Sequence, residues 1–234
     1  MTTEGFPVRA DVAFPAARAG SARRMTPERR REQLIRIALQ LFAEQPPDLV
    51  TADDVARAAD VSRALFYRYF GNMHDLREAA LRTAVDELIA VITPPDEGTL
   101  LDQVRYSLHA FLCSAQAYSA AYIALMRTGS VIGTEETYAL VERVRDHIVR
   151  MVAERMRLAA PGETVGGAAP MFELTMRSWF SVVELASVAW LREGKLARER
   201  LEEWLVDQLV AMLQTTARHD PSTAAQLSAA LAAT

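Results

Sequence analysis

Apolar residues recur along most of the chain at three- and four-residue spacing, and no strand-like alternation appears, so the pattern predicts helices. Leu34, Ile35, Ala38, Leu41 and Phe42 give a first helix its inward face. Thr26-Pro27-Glu28 starts it with a capping residue, a proline at the first position and an acid in the first turn. Val55, Ala56 and Ala59 form the stripe of a short second helix, which Thr51 can cap, with Asp53 and Asp54 where the helix dipole favours anions. Asp60 stands where the chain must turn, and aspartate tolerates left-handed backbone better than most residues. Val61 plugs that turn and Ser62 is placed to cap a third helix. Phe66 and Phe70, four apart, point inward and leave Arg63, Ala64, Tyr67 and Arg68 outward. Gly71 and Asn72 are read as ending it, and a fourth amphipathic helix runs from near Met73 through Leu76, Ala80 and Leu81 toward Val91.

Thr93-Pro94-Pro95-Asp96-Glu97-Gly98 then breaks the chain. Helical patterns follow at approximately 99–117, 118–128, 133–159, 168–193 and 197–218, with interruptions at Gly129, Gly133, Pro161-Gly162, Gly166-Gly167 and Gly194. A tail with room for a short helix follows Asp220-Pro221. Residues 1–24 mix Pro, Gly, Ala and Arg without a period, which predicts a disordered arm. That arm is either a solvated tail or, through Arg18, Arg23 and Arg24, a groove-reaching extension. The fold class expected is all-α.

Half of the 234 residues are hydrophobic, enough for a sizeable core in one or two domains. The single cysteine excludes an intramolecular disulfide framework. No charge-free apolar run approaches membrane-spanning length and no secretory pattern opens the chain, so a cytoplasmic protein is expected, with no membrane partner. The net charge of −4 is unevenly spread: residues 1–82 carry 13 arginines against 11 acids, and the rest carries 13 basic against 19 acidic groups. A mildly basic head before an acidic body permits nucleic-acid contact at one end. Every basic residue but Lys195 is arginine, which suits phosphate and guanine, although codon composition accounts for the bias equally well.

A helix, a tight turn and an exposed helix of basic and phenolic residues over 51–76 is how a small domain presents a helix to the DNA major groove. This region resembles the DNA-binding domain of the TetR family of bacterial repressors. The resemblance rests on Leu41-Phe42-Ala43-Glu44, Thr51 through Ala56, Val61-Ser62-Arg63, Phe66-Tyr67-Arg68-Tyr69-Phe70-Gly71 and Asp75-Leu76, and covers roughly residues 27–82. It implies a three-helix helix-turn-helix DNA-binding domain over 25–82, an effector-binding and dimerisation domain over 83–220, and a tail over 221–234. Three positions depart from the family pattern. Pro46-Pro47 replaces a glycine and an aromatic, Asp60 replaces the turn glycine, and Met73 replaces a lysine that contacts phosphate, with His74 beside it as a partial substitute.

Within the head, Arg63 is assigned to a base edge or a phosphate, and Ala64 and Arg68 share its outward face. Tyr67 matches a phosphate-binding position; Tyr69 either does likewise or packs against a neighbouring helix. Thr51 and Ser62 sit at helix N-termini, where a capping residue also meets phosphate. Leu65 packs on a thymine methyl or fills the core.

The resemblance places an effector pocket among the later helices, for which Tyr106, His109, Cys113, Tyr122, Met126, Phe172 and Met176 are the candidates, beside Phe111 and Tyr118. Each can equally be core or surface. His109 and Cys113 share a helical face and would suit a thiolate–imidazole pair or half a metal site, but no third ligand or orienting acid stands at a recognisable spacing. No metal and no cofactor is therefore expected. Glu184, inside an apolar run, is either a buried charge facing a cationic effector or a rim residue. Met176, Phe180, Val183, Ser187 and Trp190, with Trp179 beside them, form one stripe; Leu201, Trp204, Leu205, Leu209 and Met212 form another. These two faces bury against each other or join a twofold mate in a four-helix bundle.

The combined expectation is a homodimeric, non-enzymatic repressor that leaves a palindromic double-stranded operator when a small-molecule effector binds. Two alternatives stay open: a helical interaction scaffold without specific DNA binding, and a small helical enzyme using His109 and Cys113.

Overall fold

Ten helices, and no strand, make up the described residues of this computed structural model, which are 25–128, 135–159 and 170–232. The arm at 1–24 and the breaks at Gly129, Gly133, Pro161-Gly162 and Gly166-Gly167 lie outside them. The helices are α1 (Pro27–Glu44), α2 (Ala52–Ala58), α3 (Arg63–Tyr69), α4 (Met73–Ile92) and α5 (Leu100–Ala117), followed by α6 (Ser119–Thr128), α7 (Glu135–Ala159), α8 (Pro170–Glu193), α9 (Arg198–Ala217) and α10 (Pro221–Ala232).

Capping chemistry sets the starts of the early helices. Thr26 accepts from the Arg29 amide at 3.3 Å, with Pro27 at the first turn. Thr51 and Asp54 form a reciprocal capping box on α2, and Thr99 and Asp102 repeat it on α5. Ser62 accepts from the Leu65 amide at 3.1 Å. Between α2 and α3 the chain reverses at Asp60, whose φ of 52° is left-handed, and the Val61 amide donates back to the Ala56 carbonyl at 2.9 Å. The aspartate thus serves where the family carries glycine.

Two expectations about element ends change. Phe70, not Gly71 and Asn72, ends α3; Asn72 instead caps α4 by accepting from the Asp75 amide at 3.0 Å. The segment after Asp220 is also a helix packed into the body. Asp220 accepts from the Ser222 amide and the Thr223 hydroxyl, and Leu227 and Ala230 are buried against the rest of the core.

The apolar side chains gather into two cores. The first joins Leu34, Val55, Phe66 and Leu76 across α1–α4; Leu39 rather than Leu41 completes the buried face of α1. The second joins Leu112, Met176, Leu205 and Leu209 across α5, α8 and α9, with residues of α7 and α10. Helix α4 belongs to both: Leu76 and Ala80 near its start lie in the first, and Ile92 at its end lies in the second. Trp179 ties α8 to α9 by donating its indole N–H to the Leu205 carbonyl at 2.9 Å.

Candidate nucleic-acid interface and the cavity behind it

Helix α3 is anchored by Phe66, which is fully buried, so the opposite side of this two-turn helix must face solvent. Arg63, Ala64, Tyr67 and Arg68 occupy that side. Arg63 is not free within it: its guanidinium lies 3.1 Å from the Asp53 carboxylate on α2, 3.5 Å from the Tyr67 hydroxyl and above the Tyr67 ring. Both partners hold it charged, the tyrosine contact most strongly. Tyr67 in turn meets Phe66 edge-on at 5.2 Å between ring centres. The result is a pre-arranged guanidinium and phenol on an exposed helix, a geometry that serves guanine or phosphate recognition.

The neighbouring candidates are distributed differently. The Thr51 and Ser62 hydroxyls are exposed but already engaged in capping, where their helices offer amides to an anion. Tyr69 is half-buried and packs on the core of the head, which corresponds to the packing alternative. Met73, at the position of the missing lysine, also packs on that core. His74 is exposed and 3.2 Å from Glu78. The Pro46-Pro47 connection is held by Arg77 on α4, which donates to the Pro47, Asp48 and Val50 carbonyls.

Behind the head lies a cavity of about 680 Å³, bounded by α1, α4, α5, α6, α7 and α8. Its volume falls in the range of small-molecule sites. Tyr106, Tyr122 and Met126 line it, as do Phe111 and Tyr118. Leu81, Ala84, Val85 and Leu88 expose the side of α4 to the same space. Tyr122 meets Phe111 edge-on, and its enclosed hydroxyl meets no hydrogen bond of full geometry; its polar neighbour is the Ser187 hydroxyl, whose proton is given to the Val183 carbonyl. Burial raises the Tyr122 phenol well above its ordinary range and pushes Tyr118 up to about 12. Glu184 faces the cavity but is matched: the Arg145 guanidinium grips both of its oxygens at 2.6 and 2.8 Å. Glu87 is matched less well. Arg36 lies 3.8 Å away, the second carboxylate oxygen is enclosed without a partner, and burial raises the pKa of the group against the opposing pull of Arg36.

Four of the pocket candidates are elsewhere. Phe172 and Met176 are buried in the second core. His109 and Cys113 point toward α9, where His109 Nδ1 lies 2.9 Å from Glu202 and Cys113 Sγ lies 3.5 Å from His109 Nε2. Glu202 is the orienting acid that sequence spacing did not reveal, 93 residues from its histidine. Desolvation raises the Cys113 thiol pKa, the reverse of what a nucleophile needs, so this trio is suited to clamping α5 to α9. Among the described residues no group of three or more His, Cys, Asp or Glu is arranged to hold a metal, and no helix is long and apolar enough to cross a membrane.

The residues considered for dimerisation divide by face. Trp179 and Val183 are buried and line the cavity, and Leu205 and Leu209 are buried in the second core, so all four are spent within the chain. Met212 packs partly on that core, and Trp190 is half-buried and donates to the Leu196 carbonyl at 2.8 Å. Trp204 is exposed. The outward side of α8 carries Met171, Leu174 and Leu185, of which Leu174 is 64% and Leu185 74% exposed. Their spacing of three and eleven residues marks a second helical stripe, opposite the one that reading by hydrophobicity favoured.

Two family models match the chain. Residues 34–80 match the model for bacterial regulatory proteins of the tetR family, and residues 100–212 match the tetracyclin repressor-like C-terminal domain. A crystal structure of a tetR-family transcriptional regulator from Streptomyces coelicolor is 33% identical, covers 89% of this chain, is itself covered to 90%, and superposes with a TM-score of 0.81. The HTH-type transcriptional regulator HbdR of Aromatoleum sp. (strain CIB) is 26% identical over 137 residues, 58% of this chain and 59% of its own length. The match thus spans less than two thirds of that relative. The regulator FadR from Bacillus subtilis, solved in complex with stearoyl-CoA, shares the fold at 14% identity, with coverage of 77% and 98% and a TM-score of 0.62.

Proposed function

The chain belongs to the TetR family of bacterial transcriptional regulators, and from that premise we propose that it is a homodimeric repressor released from a palindromic operator by a small molecule. The observation that carries this reading is α4, which runs from the core of the reading head to the wall of the cavity. Arg63 reads a base edge, Tyr67 donates to a phosphate, and Ala64 and Arg68 complete the surface that enters the groove. The N-termini capped by Thr51 and Ser62 face the phosphates. His74 adds at most one further cation when protonated.

Two heads must stand about 34–36 Å apart to occupy successive major grooves. A ligand among Leu81, Ala84, Val85 and Leu88 alters the tilt of α4, and thereby that spacing, provided it binds the two arrangements with different affinity. The partner subunit is assigned to the outward faces of α8 and α9, around Leu174, Leu185 and Trp204, because the inner stripes are already buried. Cytoplasmic location and the absence of catalysis accompany this role. FadR from Bacillus subtilis, bound to stearoyl-CoA, supports a ligand role for a cavity in this fold without indicating the ligand here.

The test is binding of the full chain to its own upstream DNA and to random DNA at two salt concentrations. A specific complex that weakens steeply with salt is expected; a folded dimer that prefers no sequence overturns the proposal. Tyr67→Phe weakens binding about equally on all sequences, whereas Arg63→Ala weakens it mainly on the operator and relaxes preference at one position. The opposite pattern would exchange their roles.

A further inference from the structure

An enclosed polar atom without a partner forfeits the hydrogen bonds it made to water, so such atoms are rare in folded proteins. Among the described residues three side-chain atoms are in this state: Glu87 Oε2, Tyr122 OH and Arg198 Nε. Arg198 Nε at least lies 3.2 Å from the Glu202 carboxylate. The other two belong to residues that line the same cavity, whose remaining wall is mostly aliphatic and aromatic.

The other charges around this space have partners. Arg145 is gripped by Glu184, and Arg77 donates to three carbonyls of the α1–α2 connection. Arg36 stands beyond hydrogen-bond length from Glu87, but 42% of its side chain is exposed and water can serve it. Glu87 Oε2 is enclosed and meets no protein donor, although 28% of the side chain as a whole is exposed. The unmet need in the cavity is therefore for a donor, and best for a cationic one, because a half-buried carboxylate with one enclosed oxygen is stabilised most by an opposite charge. A ligand carboxylate brought to the same place would face Glu87 as a like charge.

Resting on the reading of this cavity as the effector site, we propose that the effector is a largely apolar amine whose ammonium group seats against Glu87. Its body lies along Phe111, Trp179 and Phe180, with the Tyr122 hydroxyl available to a second polar group. The ammonium shares the carboxylate that Arg36 of α1 approaches, so occupancy reaches the reading head through the α1–α4 contact as well as through α4 itself.

The test compares three ligands with one chain and different heads, n-decylamine, n-decanol and n-decanoate, titrated calorimetrically below their micellar concentrations into the full chain. Decylamine is expected to bind at least about tenfold more tightly than decanol, with decanoate weakest. Glu87→Gln should bring amine and alcohol to within about twofold of each other. Tyr122→Phe, which keeps the carboxylate, should leave the order of the three heads intact. Preference for decanoate, equal binding of all three, no binding, or an order changed by Tyr122→Phe and not by Glu87→Gln overturns the assignment. The same preparation is tested on its upstream DNA. A specific DNA complex together with an unselective cavity rejects the amine alone, whereas loss of any specific complex rejects the regulator reading itself.

Discussion

Arg63 and Asp53, ten residues apart and on different helices of the head, meet at 3.1 Å on the face that presents α3 to solvent. If Arg63 reads DNA as proposed, an acid beside it repels phosphate, yet it also fixes where the guanidinium points. Asp53→Ala is therefore expected to strengthen binding to random DNA while lowering the ratio of operator to random affinity. Fluorescence anisotropy on both DNAs measures this; a ratio equal to that of the wild type would show that Asp53 does not position Arg63.

Glu87 gives the body a defined pH response. Its folded pKa is raised, so the folded state holds the proton more tightly than the unfolded chain, and stability falls as pH rises from the ordinary carboxylate range through the raised value. Replacing it with Gln removes the ionised form. Glu87→Gln should raise the melting temperature at pH 7.5, and the gain should shrink as pH falls toward the ordinary glutamate range. A gain independent of pH would point to packing rather than ionisation.

Cys113 should behave as a sluggish thiol. Burial raises its pKa, and only the thiolate reacts, so labelling by a disulfide reagent at pH 7.5 is expected to be slower than that of glutathione and to accelerate as pH rises. Labelling faster than glutathione would show that His109 and Glu202 activate the sulfur after all.

The exposed stripe on α8 separates association from stability. Leu174→Arg with Leu185→Arg should yield a monomer by sedimentation, with little loss of helicity. Leu205→Ala, in the second core, should cost about 2–5 kcal/mol of stability without a comparable effect on association. A double arginine variant that remains dimeric would place the interface elsewhere.

The reading head was legible because its determinants are local. Thr51, Asp60 and Ser62 act through backbone groups three residues away, and Phe66 and Phe70 state their own inward face. The cavity was legible only in part. Tyr106, Tyr122 and Met126 line it, but helix α5 is apolar over a broad arc, and spacing alone did not reveal that His109 and Cys113 lie on the arc facing α9. Helix α8 poses the same difficulty more sharply. It carries an inner stripe at Trp179 and Val183 and an outer one at Leu174 and Leu185; hydrophobicity drew attention to the inner one, and only the tertiary packing shows that this one is buried and the outer one is left exposed. The pairs Arg63–Asp53, Arg36–Glu87 and His109–Glu202 join different helices, so no periodicity encodes them.

Helix α4 has twenty residues, which makes it a rod about 30 Å long. With residues in a core at each end, it would act in the proposed switch as a lever arm with a mechanical advantage set by its length. A tilt of about 10° at the cavity carries the opposite end through about 5 Å. On the proposed reading, sensitivity to a small ligand is in this way a matter of leverage, and shortening the arm by one turn would blunt the response even if every ligand contact survived.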